Sequence, residues 1–154
     1  MSLREEILND PLGRGYSSMT DAEIADSLNE KNRTKVVPLS SAELLAWSGG
    51  GADDDNNIAS RYERIEAAAT SHASGAVRGA CKAAIRLIER DSTVLDLTLP
   101  DRAAMVDALV AGNVLTETEK TELYTLATQQ ISRAEELGLG VVYAADVTGA
   151  KANG

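Results

Sequence analysis

Few residues in this chain have the type and spacing to do chemistry. The clearest series is Arg78, Lys82, Arg86 and Arg90, cations at every fourth position. On a helix that spacing overshoots each turn by ~40°, so the four side chains form a stripe that drifts slowly round one side. Three readings fit the stripe: an electrostatic seam for an acidic partner, a solvated face paired locally with Glu89 and Asp91, and direct contact with DNA. Trp47 is the sole tryptophan. A large rigid ring either anchors in a neighbour's groove or fills its own core. Trp47, Arg78, Lys82, Arg86 and Arg90 are therefore the candidate protein–protein contacts.

Other groupings fail on their own chemistry. Gly13-Arg14-Gly15 suggests a phosphate cradle, but no Gly-Lys-Ser/Thr follows, and a tight turn explains the glycines. Asp53, Asp55 and Asn57 imitate the start of a calcium loop, yet Ile58 stands where glycine is needed and Arg64 where glutamate is needed. His72 and Cys81 are each alone, whereas a nucleophile needs a base in reach and a metal needs several ligands. No catalytic, metal or cofactor residue is assigned, and the expectation is a protein without enzymatic activity.

Bulk properties set the frame for those side chains. A chain of 154 residues with 44% hydrophobic content suits one folded body, with or without an extended arm. Aromatic residues make up only 3% and phenylalanine is absent, so the core must be Ala, Leu, Ile and Val. Small side chains let helices approach closely, which favours helix-on-helix packing. The single cysteine excludes an internal disulfide. No apolar run approaches the ~18 residues of a membrane span, and the opening MSLREEILNDP lacks the features of a signal peptide. Synthesis and use in a cytoplasm, or in a particle assembled there, is expected. The net charge of −9 argues against sequence-blind binding to nucleic acid. Residues 1–56 carry 5 basic and 11 acidic groups and residues 57–154 carry 10 and 13, an uneven distribution. An acidic arm docking on the body of a second copy is one use for it; a solvated surface is the other.

Helix signals recur along the chain. Ser2 to Asn9 predicts a short helix ended by Asp10-Pro11. Thr20 with Glu23, Ser40 with Glu43 and Thr116 with Glu119 have capping-box spacing. Ile58–Thr70 and Ala73–Arg90 are periodic, the second with Val77, Cys81, Ala84, Ile85 and Ile88 inward. Pro100 suits a first helical turn running on to Ala111. Thr116 to Gly138 predicts one helix of about 22 residues, roughly 33 Å long, with Leu123 and Leu126 on its apolar side and Gly138 as a left-handed cap. On that reading Leu126→Asp buries a charge and unfolds the domain. Val141-Val142-Tyr143 is β-prone. The expectation is an all-α fold, a small helical bundle with a helical N-terminal arm and a short extended C-terminal tail. Its divisions are an arm over 1–48, a Gly/Asp-rich linker over 49–57 and a body over 58–154.

Two stretches carry a resemblance. The opening ILNDPLGRGYSSMTDAEIADSLN and the closing ISRAEELGLGVVYAADVTGAK resemble small, mostly uncharacterised proteins from the structural gene blocks of long-tailed, siphovirus-like bacteriophages. The resemblance implies a virion component of the neck or tail, a head–tail connector for instance, or a phage protein acting during assembly. It implies other phage structural proteins and further copies of the chain as partners, and no catalytic residues. An acidic host-directed inhibitor that mimics DNA is the competing class. It needs carboxylates spaced like phosphates over one face, and basic residues interrupt them here. The charge contrast between arm and body predicts that glutamate at Arg78, Lys82 and Arg86 weakens self-association.

Overall fold

The computed structural model describes residues 1–90 and 94–153. In chain order the elements are α1 (Leu3–Asn9), a 3-10 turn (Tyr16–Ser18), α2 (Asp21–Asn29), β1 (Arg33–Val36), β2 (Leu39–Ser40), α3 (Ser41–Ser48), α4 (Arg61–Ser71) and α5 (Gly75–Glu89). They continue with β3 (Val94–Leu95), α6 (Pro100–Ala111), α7 (Glu117–Leu126), β4 (Thr128–Ile131), α8 (Arg133–Glu136) and α9 (Ala144–Ala152). Helix dominates, as the small-residue composition predicts. Short two-stranded ladders, β1 with β4 and β2 antiparallel to β3, make the fold helical but not strictly all-α.

Hydroxyl caps set most helix starts. Ser2, Thr20, Ser40, Ser60, Ser74, Thr116 and Ser132 each accept the backbone N–H three residues on. An N-cap of this kind stabilises a helix by about 1 kcal/mol, because it satisfies a donor the helix itself leaves open. Ser132 is the one that corrects the sequence reading. Its box with Glu135 begins a new helix inside the stretch predicted as one rod. The preceding helix closes when the Ala127 N–H reaches the Leu123 carbonyl and the Thr128 hydroxyl donates to the Tyr124 carbonyl. Thr128 to Ile131, ending in a β-branched residue, then pairs with β1. Thr116–Gly138 is therefore helix, strand and helix. Leu126 is 45% exposed while Leu123 is buried, so the predicted apolar face was misplaced at Leu126. Gly138 does take the left-handed φ of +72°, and the Leu139 N–H closes on the Ala134 carbonyl at 2.9 Å.

The chain divides into two compact units. The first joins Met1–Lys35 with Gln129–Gly154, and the second is Val36–Thr128. This differs from an arm over 1–48, a linker over 49–57 and a body over 58–154. Residues 1–35 are no free arm, because their buried partners lie at the far end of the sequence. Residues 49–57 do not divide the units either. The Asp53 carboxylate accepts the Asp55 and Asn56 N–H groups, and Asp53 and Ile58 exchange two backbone hydrogen bonds of 2.9 and 2.8 Å. The segment is a closed turn within the second unit.

In the first unit, α9 packs on α2 and α1 around Ile7, Tyr16, Ile24, Leu28, Ala134, Val142 and Val147. Each buried Ile, Leu or Val contributes roughly 1.5–3 kcal/mol. Val141-Val142-Tyr143 forms no strand; Val142 is a core residue whose backbone bonds the Asn29 amide at 2.6 and 2.9 Å. Glu6 is fully buried, and Arg133 grips both its oxygens, at 2.9 and 2.8 Å. Hydrogen bonds to Glu6 and Glu136 raise the Arg133 pKa. Arg33 and Arg133 together hold the Glu136 carboxyl down at about 2.

In the second unit, α3, α4, α5, α6 and α7 bury Leu44, Ile65, Cys81, Ile88, Val106, Leu109 and Leu123 in one cluster. Val77, Cys81, Ala84 and Ile88 face inward as predicted, with Ile85 half-buried. Gly112 closes α6 against α5; a Cβ there would come within 2.7 Å of the Val77 side chain, which would have to shift to admit a larger residue. The break between α4 and α5 falls at His72, whose Nε2 lies 2.9 Å from the Gly112 carbonyl and whose Nδ1 accepts the Ser74 N–H at 3.0 Å.

Candidate binding groove

The candidate contact residues separate in the structure. Trp47 lies at the edge of the second unit's core, half-buried on its own chain. The Arg61 guanidinium stacks 4.7 Å from the ring centroid, and its Nη1 donates to the Trp47 carbonyl at 2.8 Å. Trp47 therefore packs against its own core while staying part-exposed. The Trp47 indole N–H is buried with no acceptor among the described residues.

Arg61 also leads to the strongest ion-pair cluster of this unit. Its Nε meets Glu119 at 2.9 Å and its Nη2 meets Glu122 at 2.6 Å. Arg64 contacts both Glu119 oxygens, at 2.7 and 2.5 Å. Burial pushes the Glu119 carboxyl up, but the Arg64 hydrogen bonds, the Thr116 N–H and the two guanidinium charges outweigh it and hold the group at about 2. Every polar group here is committed to another, so the cluster fastens α4 to α7 and offers nothing to a ligand. A surface recess beside Arg64, His72 and Asn113 is similarly spent, since Arg64 and His72 are already bonded within the fold.

Along α5 the predicted stripe also divides. Arg78 turns back and caps the preceding turn, donating to the His72 carbonyl at 2.5 Å and the Ala73 carbonyl at 3.2 Å. Lys82 is exposed. Glu89, one of the residues predicted to pair the stripe locally, instead accepts the Tyr62 hydroxyl at 2.6 Å and drives its pKa up to about 12. Asp91 lies outside the described residues. Arg86 and Arg90 remain together, at the rim of an open groove of about 520 Å³ between α5 and α6.

The floor of that groove is Ala80, Ala83 and Leu87 from α5 with Ala104, Met105 and Ala108 from α6. At the rim, Arg86 and Arg90 meet Asp101 and Arg102 from the start of α6, three guanidinium groups against one carboxylate. Arg102 pairs with the neighbouring Asp101 carboxylate. Among the described residues Arg86 has no ion-pair partner. The whole unit carries 8 basic and 14 acidic residues, so the groove inverts the charge of its surroundings.

Compared with known proteins, the chain matches no family model, no curated protein and no solved structure.

What the groove can do is therefore read from its own chemistry. An alanine floor admits close approach of a helix backbone, and a guanidinium rim favours carboxylates at its edge. Arg102 was missed in the sequence because it belongs to a different helix. Cys81 is buried, and burial pushes its thiol up, as expected of a small core residue. Among the described residues no group of His, Cys, Asp and Glu has the arrangement to hold a metal ion. No described helix is long and apolar enough to cross a membrane.

Proposed function

We propose that this chain is a non-enzymatic structural component of a tailed bacteriophage particle, associated with the neck or tail, which assembles with further copies or docks on other virion proteins. The observation that carries this reading is the composition of the first unit. The two stretches that resemble phage structural proteins, residues 7–29 and 131–151, lie at opposite ends of the sequence and yet fold into one compact unit. They share one core, with Ile7, Ile24 and Leu28 from the first and Ala134, Val142 and Val147 from the second. The stretches that carry the resemblance therefore build one folding unit together. The open groove of the second unit adds a surface suited to protein contact.

Mass spectrometry of purified particles from infected cells tests the reading. The expected result is several copies per particle, resistant to washing. Protein abundant in the lysate and missing from particles would favour the second reading, a non-virion assembly factor or an acidic inhibitor of a host DNA-binding protein. The net charge of −9 is the observation behind that alternative.

A further inference from the structure

We infer that the α5/α6 groove receives helix α2 of a second copy, so that copies join head to tail. The inference rests on the virion reading for its purpose, though not for its geometry. Ile24, Ala25 and Leu28 turn α2 inward. Its opposite side shows Ala22, Glu23 and Asp26, continued by Glu30 at the cap, all exposed. Glu23, Asp26 and Glu30 follow at steps of three and four, which places the carboxylates in one row. Among the described residues none of the three is in an ion pair.

The two surfaces answer each other in charge and in shape. The Asp26 and Glu30 carboxylates answer the groove's Arg86 and Arg102, and Glu23, whose carboxylate also accepts the Thr20 N–H at 2.7 Å, lies beside them. Ala22 is small enough to lie on the alanine floor, where the two backbones come close. The row from Glu23 to Glu30 is roughly 10 Å long at 1.5 Å per residue, and Ala80 to Leu87 gives the floor the same length. Because α2 and the groove are different patches, the contact is heterologous, and a joined pair keeps one free α2 face and one free groove. Such a contact grows into a ring where the rotation closes.

Light scattering on the full chain decides the matter, with a concentration series at low and high salt. The wild type is expected to exceed its monomer mass of 16.2 kDa and to fall toward it as salt rises. Arg86→Glu with Arg102→Glu is expected to give monomer, and Asp26→Arg with Glu30→Arg likewise, each with unchanged circular dichroism. Mixing the two variants should restore assembly, since each supplies the charge the other lacks. A wild type that stays monomeric, a groove variant that keeps its oligomer, or a mixture that fails to associate would each overturn the docking. The first result would leave the presence of the protein in particles untouched. An oligomer that responds as expected, from a protein missing from particles, would sink the virion reading alone.

Discussion

Each unit is fastened by a glutamate held by arginine, and the two fastenings differ in redundancy. In the first, Glu6 is completely buried and Arg133 is the cation that satisfies it, with the Tyr16 hydroxyl at 3.4 Å adding little. In the second, Glu119 has two arginines and a backbone N–H of its own capping box. Loss of one partner therefore orphans a charge in the first unit and leaves the second still compensated. The comparison separates what a buried ion pair does by existing from what it does by being irreplaceable.

The largest expected effect breaks the first fastening. Arg133→Met should cost about 3–5 kcal/mol, because Glu6 is left buried without a cation. Denaturant melts followed by circular dichroism should shift, while fluorescence from Trp47, which reports the second unit, should lag behind. Coincident shifts of both signals would show that the units unfold together. Adding Glu6→Leu should recover most of the loss, since an apolar pair removes the orphaned charge.

Arg61→Met is the matching test in the second unit, with an expected cost of ~1.5–3 kcal/mol for one charged hydrogen-bond set while Arg64 holds Glu119. A cost as large as that of Arg133→Met would mean the second fastening is not redundant. On the pH axis the two units share a sign. Glu119 and Glu136 both sit at about 2 when folded, below the ordinary glutamate value of 4.5. Their contribution is complete above pH ~5 and is lost as pH falls toward about 2. Glu136 is partly open to solvent, so Glu119 should carry the larger share. Stability that stays flat between pH 5 and 3 would contradict both assignments. The smallest effect belongs to Leu126→Asp, expected within about 0.5 kcal/mol at this exposed position, against about 2–5 kcal/mol for buried Leu123→Ala.

Local structure was the legible part of the sequence. Boxes at Thr20, Ser40 and Thr116 mark helix starts that the structure reproduces, since a cap depends on residues three apart. The box at Ser132 with Glu135 was equally visible but stood inside an apolar periodic run, and the period concealed it. The division into units was not legible. It depends on Arg133 reaching Glu6 and on Asn29 reaching Val142, and no local pattern encodes such pairs. For the groove, Arg86 and Arg90 were found by spacing on one helix, whereas Arg102 required knowing which helix lies alongside.

The split first unit has a consequence for synthesis. Residues 36–128 must be synthesised before Arg133 exists, and at ~5–20 residues per second that takes roughly 5–20 s. During this interval Ile7, Ile24 and Leu28 have no Val142 or Val147 to cover them, and Glu6 has no counter-charge. On a crowded polysome the C-terminal segment of a chain ahead is within reach of that waiting N-terminal segment. The order of translation thus opens a route to exchanged dimers, and one defence is a second unit that folds early and draws the two ends of its own chain together.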